Sequence, residues 1–251
     1  RSGAVCAERA VPDPDRSAEE YSGADRGGRG VFLECPAGVG WTEHRETKIV
    51  SAEKDDVIIV GAGFAGMYML HRLRGAGFRV KCFEAGTGVG GTWYWNRYPG
   101  ARCDIHSLAY SYSFSKELEQ EWEWSELYSA QPEIERYANH VADRFDLRRS
   151  IQFGTRVEAC AYDETTGKWT ITTDKGETAT ARYLIMATGG YSVPAKPQID
   201  GIESFKGEAY FSNNWPLHKV DYTGKRVGII GTGSSGVQSA TAVAAVPVVA
   251  E

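Results

Sequence analysis

The chain has 251 residues, of which 42% are hydrophobic and 24% are charged, and its formal net charge is −5. A chain of this length can bury a large core, and this composition excludes a wholly disordered protein and a globally basic surface for nucleic acid. Its apolar runs stay below the ~18 residues of a membrane helix, and its five cysteines contain no CxxC pair, so we expect a reduced, cytoplasmic protein with no membrane partner and no metal site.

Residues 1–54 differ from the rest of the chain. They carry clusters of Asp, Arg, Gly and Pro without a sustained strand or helix period, which is typical of a disordered tail. We therefore assign them no function and expect them to lie outside the folded part.

The first predicted ordered unit is a β-α-β element. Residues 57–60 form a β-branched run that is typical of a buried parallel strand. The glycine-rich residues 61–66 follow, then a helical pattern that ends near Gly75, and then a second strand over 80–84.

The glycine-rich segment has the spacing of a dinucleotide-binding turn. Gly61, Gly63 and Gly66 form GxGxxG between a strand and a helix, and Glu84 follows Gly66 by 18 residues at a strand end. In such a turn the backbone approaches a pyrophosphate at a helix N-terminus, and the acid accepts hydrogen bonds from ribose hydroxyls. The alternatives are a glycine turn that binds nothing and a solvated acid.

The middle of the chain predicts two helices. Apolar residues at helical spacing predict one over 131–145, with Pro132 in its first turn. The acidic stretch 117–126 carries Trp122 and Trp124, which we interpret as packing residues of an amphipathic helix.

Several strands are predicted next. Residues 155–162 and 168–173 alternate in polarity and are joined by a hairpin signal, and a third apolar run covers 183–187. The hairpin predicts a β-meander inserted into the nucleotide-binding unit.

A second strand–GxGxxG–helix pattern occurs near the end of the chain. Residues 226–230 predict its strand, Gly231, Gly233 and Gly236 its turn, and residues 237–245 its helix. The chain ends before a further strand with an acid or arginine at its end, so we expect this second unit to be truncated. Two such turns predict two dinucleotides, a bound flavin and a mobile nicotinamide; the alternative is a turn-forming glycine cluster.

The segment from Gly91 to Asp104 indicates which class of dinucleotide-binding protein the chain resembles. Gly91, Trp93, Tyr98–Pro99–Gly100 and Asp104 fit the pattern GxWxxxx(F/Y)P(G/M)xxxD. With this pattern the chain resembles the type I Baeyer–Villiger monooxygenases from about Asp56 to Val243. A second fingerprint of that family, FxGxxxHxxxW(P/D), is only partly matched, because Phe211 stands where the histidine belongs.

The resemblance implies roles for individual residues. For FAD it implies that Glu84 contacts the ribose and that Val157 contacts the adenine. The pyrophosphate contacts that it implies come from Gly61, Gly63, Ala65 and Gly66. The isoalloxazine contacts that it implies come from Thr92, Trp93, Tyr94, Trp95, Asp104 and Tyr110. It implies that Arg102, Cys103 and Asp104 lie where nicotinamide and flavin meet. For the NADPH phosphates it implies Thr232, Gly233, Ser234, Ser235, Gly236, Val237 and Gln238.

Asp104 is the residue for which the resemblance implies a catalytic role. In this family NADPH reduces FAD, a C4a-peroxyflavin adds to a ketone carbonyl, and the adduct rearranges to an ester or lactone. The resemblance implies that an aspartate like Asp104 holds an arginine beside the peroxide, and that this arginine lies beyond residue 251 rather than being Arg97 or Arg102. The alternative for Asp104 is a buried structural carboxylate.

The predicted fold is α/β, with two Rossmann-like dinucleotide-binding domains and the inserted β-meander. We expect an FAD-binding domain over 55–189, lacking a C-terminal return, and the truncated start of an NADP-binding domain over 190–251. The expected function is ketone oxidation with O2, without nucleic acid or membrane partners. The alternatives are a flavin monooxygenase that oxidises nitrogen or sulfur, and a catalytically silent FAD-binding fragment, since we expect these 251 residues alone to be inactive.

Overall fold

The computed structural model describes residues 55–193, 197–216 and 218–245, so the predicted tail over 1–54 lies outside the described residues. Within them, a four-stranded parallel sheet is accompanied by a separate three-stranded antiparallel sheet and by five α-helices. This arrangement confirms the predicted α/β class.

The predicted β-α-β element is confirmed. It consists of β1 (Val57–Val60), α1 (Phe64–Gly75) and β2 (Val80–Phe83), and β1 and β2 pair in parallel. Both faces of β1 are covered, because Ile59 packs with residues of α1 while Ile58 packs with the antiparallel sheet. The continuous apolar run at the start of the unit is therefore explained by burial on two sides.

Two further strands complete the parallel sheet, in the order β3-β2-β1-β7. These are β3 (Ile151–Gln152), which pairs with β2, and β7 (Tyr183–Met186), which pairs with β1. The sequence predicts β7 correctly as an apolar run, but β3 is too short for its pattern to be recognised.

The antiparallel sheet is the predicted insertion. It contains β4 (Val157–Asp163), β5 (Lys168–Thr173) and β6 (Thr178–Ala181), in the order β4-β5-β6. The sequence does not reveal β6, because its alternating Thr and Ala residues give almost no contrast in hydrophobicity. Ile171 and Ala181 pack against Ile58 and so attach the meander to the parallel sheet.

Four further helices lie in the described part of the chain. They are α2 (Thr92–Trp95), α3 (Lys116–Glu121), α4 (Gln131–Arg144) and α5 (Ser234–Ala244). Short 3₁₀ turns lie at Ser107–Tyr110, Arg148–Ser150, Ile202–Ser204 and Ser212–Asn214. The position of α4 agrees with the helix predicted over 131–145.

Two sequence-based predictions are wrong in detail. The helix expected over 117–126 ends at Glu121, and Trp122 and Trp124 follow it and pack on Tyr137 instead, with ring centroids 5.3 and 5.1 Å away. Residues 226–230 are not a strand, because no described strand pairs with them and Ile230 remains 85% exposed. An isolated apolar segment cannot form a ladder without a partner backbone.

His71 on α1 predicts a pH dependence of stability. Its ring stacks on Phe114 at 4.5 Å and meets Phe145 edge-on at 4.7 Å. Burial, followed by the charges of Arg72 and Arg74, lowers the pKa of His71 below its ordinary value.

Because the folded state disfavours protonated His71, the unfolded chain binds more protons at mildly acidic pH. We therefore expect the free energy of unfolding to be fully retained above pH ~6.5, the ordinary histidine pKa, and to fall as the pH is lowered through the depressed pKa. Urea unfolding at several pH values measures this. His71→Phe should flatten the profile, while His106→Phe at an exposed site should not; equal profiles for wild type and His71→Phe would contradict the prediction.

Candidate functional site

Close backbone packing fixes two glycines of the first turn. Gly61 has φ +102°, and a Cβ built on it would lie 2.5 Å from the Ala187 carbonyl oxygen. A Cβ on Gly66 would lie 1.8 Å from the Gly61 carbonyl oxygen. Gly66 must be glycine because α1 begins directly against the end of β1, and Gly61 must be glycine because its φ is positive and the backbone after β7 lies against it.

Gly63 is not confined in this way by the described residues. It is the N-cap of α1 with φ −74°, no side chain among them caps the helix, and the only one that a Cβ there would meet is Gly91, at 3.4 Å from its Cα and 3.8 Å from its nitrogen. Ala65 in the first turn is exposed. The N-terminus of α1 thus presents backbone N–H groups that no side chain caps and a positive dipole end, which fits a pyrophosphate.

Glu84 lies at the end of β2 and is buried, which excludes the solvated acid. Its Oε2 accepts a hydrogen bond from the Ala62 N–H and its Oε1 accepts one from the Gly86 N–H, both at 2.7 Å. The carboxylate therefore joins the glycine turn to the turn after β2. Since a carboxylate accepts about four hydrogen bonds, it retains capacity for ribose hydroxyls.

The structure separates the aromatic residues for which the resemblance implies FAD contacts. Trp93 is buried with Cys103 and Ile134, whereas Thr92 and Trp95 are exposed. Tyr94 lies over the turn at residues 86–88, and its hydroxyl accepts a hydrogen bond from the Thr87 N–H at 3.0 Å. Trp93 is therefore a core residue.

Tyr110 and Val157 lie on different sides of the parallel sheet. Tyr110 meets Phe64 edge-on at 5.7 Å and Trp93 at 5.4 Å, and burial raises its pKa. Val157 begins β4 and packs toward Phe83 on the meander side. Tyr110 thus lies next to Phe64, the first residue of α1.

The second turn repeats the backbone geometry of the first. Gly231 has φ +115°, and a Cβ on Gly236 would lie 2.3 Å from the Gly231 carbonyl oxygen. Gly233 is the N-cap of α5 with φ −72° and no side-chain cap, and a Cβ there would meet no described residue within 4 Å. Thr232 is exposed like Gly233 itself, so this turn also fits a phosphate group.

The structure brings Asp104 to the beginning of α5. Asp104 is exposed, and its Oδ2 accepts a hydrogen bond from the Ser234 hydroxyl at 3.3 Å. Arg102 pairs with Glu126 at 3.2 Å, while Cys103 is buried and its N–H donates to the Ser129 carbonyl at 3.0 Å. The exposure of Asp104 excludes the alternative of a buried structural carboxylate.

The other residues predicted on α5 are divided between the turn and the helix surface. Ser235 and Gly236 are half-buried and Val237 is 59% exposed. Gln238 is turned toward Tyr98 and Arg102, and its side-chain oxygen accepts a hydrogen bond from the Tyr98 hydroxyl at 2.9 Å. Gln238 is therefore engaged with the Gly91–Asp104 segment.

Sequence reasoning missed the residues that support α2. Gln131 of α4 donates to the Trp93 carbonyl, and Arg97 donates through Nε to the Tyr94 carbonyl at 2.8 Å. Glu135 joins the two, because it accepts from Arg97 at 2.6 Å and from Gln131 at 2.8 Å. The signal was the pairing of Gln131 and Glu135 one turn apart on α4, but nothing in the sequence relates them to Arg97.

The described part of the chain has no arrangement of three or more His, Cys, Asp or Glu side chains suited to a metal ion. Its cysteines, Cys82, Cys103 and Cys160, are all free. Among the described helices, none combines the length and the apolar character needed to cross a bilayer.

Comparison with known proteins places the chain in a family. The profile described as pyridine nucleotide-disulphide oxidoreductase matches residues 58–247, which contain both glycine turns and the Gly91–Asp104 segment. The chain belongs to this family. Within the family, the resemblance to Baeyer–Villiger monooxygenases is confirmed. A Baeyer-Villiger monooxygenase of Pseudooceanicola batsensis is 50% identical over 199 residues, which are 79% of this chain and 36% of the relative.

Other members of the family are similar over the same region. The phenazine N-monooxygenase PhzNO1 of Lysobacter antibioticus is 47% identical over 184 residues, covering 73% of this chain and 34% of the relative. The chain spans about a third of the length of the curated relatives it matches.

Solved structures of family members superpose on the chain. The oxidized steroid monooxygenase bound to NADP is 57% identical with a TM-score of 0.72, covering 76% of this chain and 36% of that one. The OTEMO complex with FAD and NADP is 47% identical with a TM-score of 0.72, covering 77% and 38%. These similarities confirm the Rossmann-type α/β fold.

Proposed function

We propose that the protein is an FAD- and NADPH-dependent monooxygenase that inserts one oxygen atom of O2 beside a ketone carbonyl, giving an ester or lactone. The observation that carries this proposal is the pair of glycine turns with uncapped helices, at Gly63 and Gly233, together with Asp104 bonded to Ser234 beside the second turn. The similarity to Baeyer–Villiger monooxygenases supports the same reaction.

Each turn is assigned one cofactor in this proposal. Residues 55–189 form the FAD-binding part, where the first turn holds the pyrophosphate, Glu84 the ribose, and Tyr110 a side of the isoalloxazine. Residues 190–251 belong to the NADP-binding part, where Thr232 and the N-terminus of α5 hold phosphate. The solved relative that contains both FAD and NADP supports two cofactors.

The residues of this chain have two tasks in the reaction. When bound, FAD supplies electron transfer and the activation of O2. Trp93 and Tyr110 pack together edge-on and exclude water beside the start of α1. Asp104 keeps unused acceptor positions besides its bond from Ser234, so it can orient a cation, such as the guanidinium that the resemblance implies, toward the developing negative charge.

A pair of glycine substitutions tests the cofactor assignment. Because neither Gly63 nor Gly233 is confined by close contacts, Gly63→Ala and Gly233→Ala should change the free energy of unfolding by no more than about 1 kcal/mol. A methyl group in the phosphate approach should weaken FAD binding at least about tenfold in Gly63→Ala and NADP⁺ binding about tenfold in Gly233→Ala. Flavin fluorescence and calorimetric titration measure the two constants.

Each variant is the control for the other, since each should leave the other cofactor's binding within about threefold of wild type. Loss of binding in neither variant would contradict the assignment. To test the ketone reaction, the protein is incubated with a cyclic ketone, NADPH and O2, and the product is identified.

Oxidation of a nitrogen or sulfur atom is the second candidate. Phe211 replaces the histidine of the family's second fingerprint, although Trp215 and Pro216 are retained. The similarity to a phenazine N-monooxygenase favours this candidate. Sulfoxide or N-oxide formation without any ester or lactone would select it over ketone oxidation.

A further inference from the structure

The side chain of Gln238 connects α5 with the segment 98–104. Its Oε1 accepts hydrogen bonds from the Tyr98 hydroxyl at 2.9 Å and from the Arg102 N–H at 3.3 Å. Its Nε2 donates to the Arg102 carbonyl at 3.1 Å. One amide side chain therefore satisfies both backbone groups of Arg102, as a neighbouring strand would.

Gly100 shows that this contact is a close fit of loop on helix. It has φ +74°, and a Cβ there would lie 2.5 Å from the Gln238 carbonyl oxygen and 2.9 Å from the Ala242 Cβ. The loop can approach the helix backbone this closely only without a side chain at this position.

Asp104 follows two residues after Arg102 in the same segment. Its hydrogen bond comes from Ser234, the first residue of α5, next to the uncapped Gly233. The position of Asp104 relative to the second glycine turn is thus set by contacts at both ends of a short span, at Arg102 and at Asp104 itself.

We propose that Gln238 is a positioning residue that fastens the segment 98–104 to α5, so that occupation of the second glycine turn is transmitted to Asp104. The inference rests on the proposed function, in which that turn binds NADPH. It gives Gln238 a bridging role in place of the phosphate contact implied by the resemblance. It also explains why α5, which begins at the second glycine turn, carries a long amide side chain that points toward the segment 98–104.

Hydrogen exchange of the Arg102 amide in the 251-residue chain tests the proposal directly. Gln238→Met keeps the length of the side chain and removes its hydrogen bonds, so exchange at Arg102 should become about tenfold faster. In wild type, added NADP⁺ should slow this exchange, and in Gln238→Met it should not. A merely structural contact would lose protection without changing the response to NADP⁺.

Thr241→Val is the matched control, because Thr241 lies on the same helix and its hydroxyl donates to the Val237 carbonyl. In Thr241→Val, hydrogen exchange of the Arg102 amide should be as slow as in wild type. If Gln238→Met fails to fold by circular dichroism, Tyr98→Phe decides instead. This variant removes one partner of Gln238, and it should raise exchange at Arg102 about threefold; no change there would overturn the proposal.

The other outcomes are equally distinct. Unchanged Arg102 exchange in Gln238→Met with about tenfold weaker NADP⁺ binding would make Gln238 a phosphate ligand and overturn the proposal. Faster exchange with an NADP⁺ response equal to wild type would also overturn it. If NADP⁺ binds to neither protein while Gln238→Met still exchanges faster, the fastening contact is confirmed and the assignment of NADPH to this turn fails.

Discussion

Gly66→Ala should destabilise the folded chain by about 3 kcal/mol or more, because the added methyl group overlaps atoms of a closely packed backbone. The added Cβ would lie 1.8 Å from the Gly61 carbonyl oxygen and 2.9 Å from its carbon, and both are backbone atoms. No side chain can rotate away to make room, so α1 has to separate from the end of β1. Urea unfolding followed by circular dichroism gives the loss, and FAD binding should disappear with it.

Gly75→Ala is the matched control on the same helix. Gly75 is the last residue of α1, and a Cβ there would meet none of the residues that the structure describes within 4 Å. Alanine should therefore leave stability unchanged or raise it by up to about 1 kcal/mol, because it restricts the unfolded chain. Equal stabilities of Gly66→Ala and Gly75→Ala would show that α1 does not pack as described.

Glu84→Ala should have the second largest effect, a loss of about 2–5 kcal/mol. The substitution removes the acceptor of the Ala62 and Gly86 N–H groups at a buried site, and each unsatisfied buried donor costs about 1–3 kcal/mol. Because Ala62 lies within the first glycine turn, the turn should also lose its shape, and FAD binding should weaken more than stability alone explains.

Glu84→Gln tests the two backbone hydrogen bonds while the volume of the side chain is kept. It keeps the volume and one acceptor but turns an amide toward one of the two N–H groups, so its stability should fall between those of wild type and Glu84→Ala. Glu158→Ala, at an exposed position of β4, should stay within about 0.5 kcal/mol of wild type. A Glu84→Ala chain as stable as Glu158→Ala would mean that the two backbone bonds contribute nothing.

The elements that the sequence predicts well are those with a strong local pattern. The run at 57–60, the glycine turn after it and the periodic residues of α4 have bounds close to those in the structure. The segment at 226–230 has the same kind of run and is not a strand, because pairing depends on a second backbone that no local pattern reports. β6 is missed for the opposite reason, since its pairing with β5 needs no hydrophobic contrast.

For the candidate site, the sequence and the resemblance predict a set of residues but not their arrangement. The position of Glu84 follows from its spacing to the first glycine motif, and Asp104 is implied by the resemblance. The separation of buried Trp93 from exposed Trp95 depends on α4, which follows later in the chain. Contacts such as Gln238 with Arg102 join residues that are far apart in sequence, and a single sequence carries no signal for them.

The central place of β1 in its sheet has a consequence for folding kinetics. β1 pairs on one side with β2, soon after it in the chain, and on the other with β7, more than a hundred residues later. The chain loses the entropy of closing that long loop before β1 and β7 can pair. Folding is therefore slower than for a sheet whose paired strands are close in sequence. During synthesis, one edge of β1 therefore stays without its partner until β7 has left the ribosome, and that interval is when the nascent chain is most exposed to aggregation.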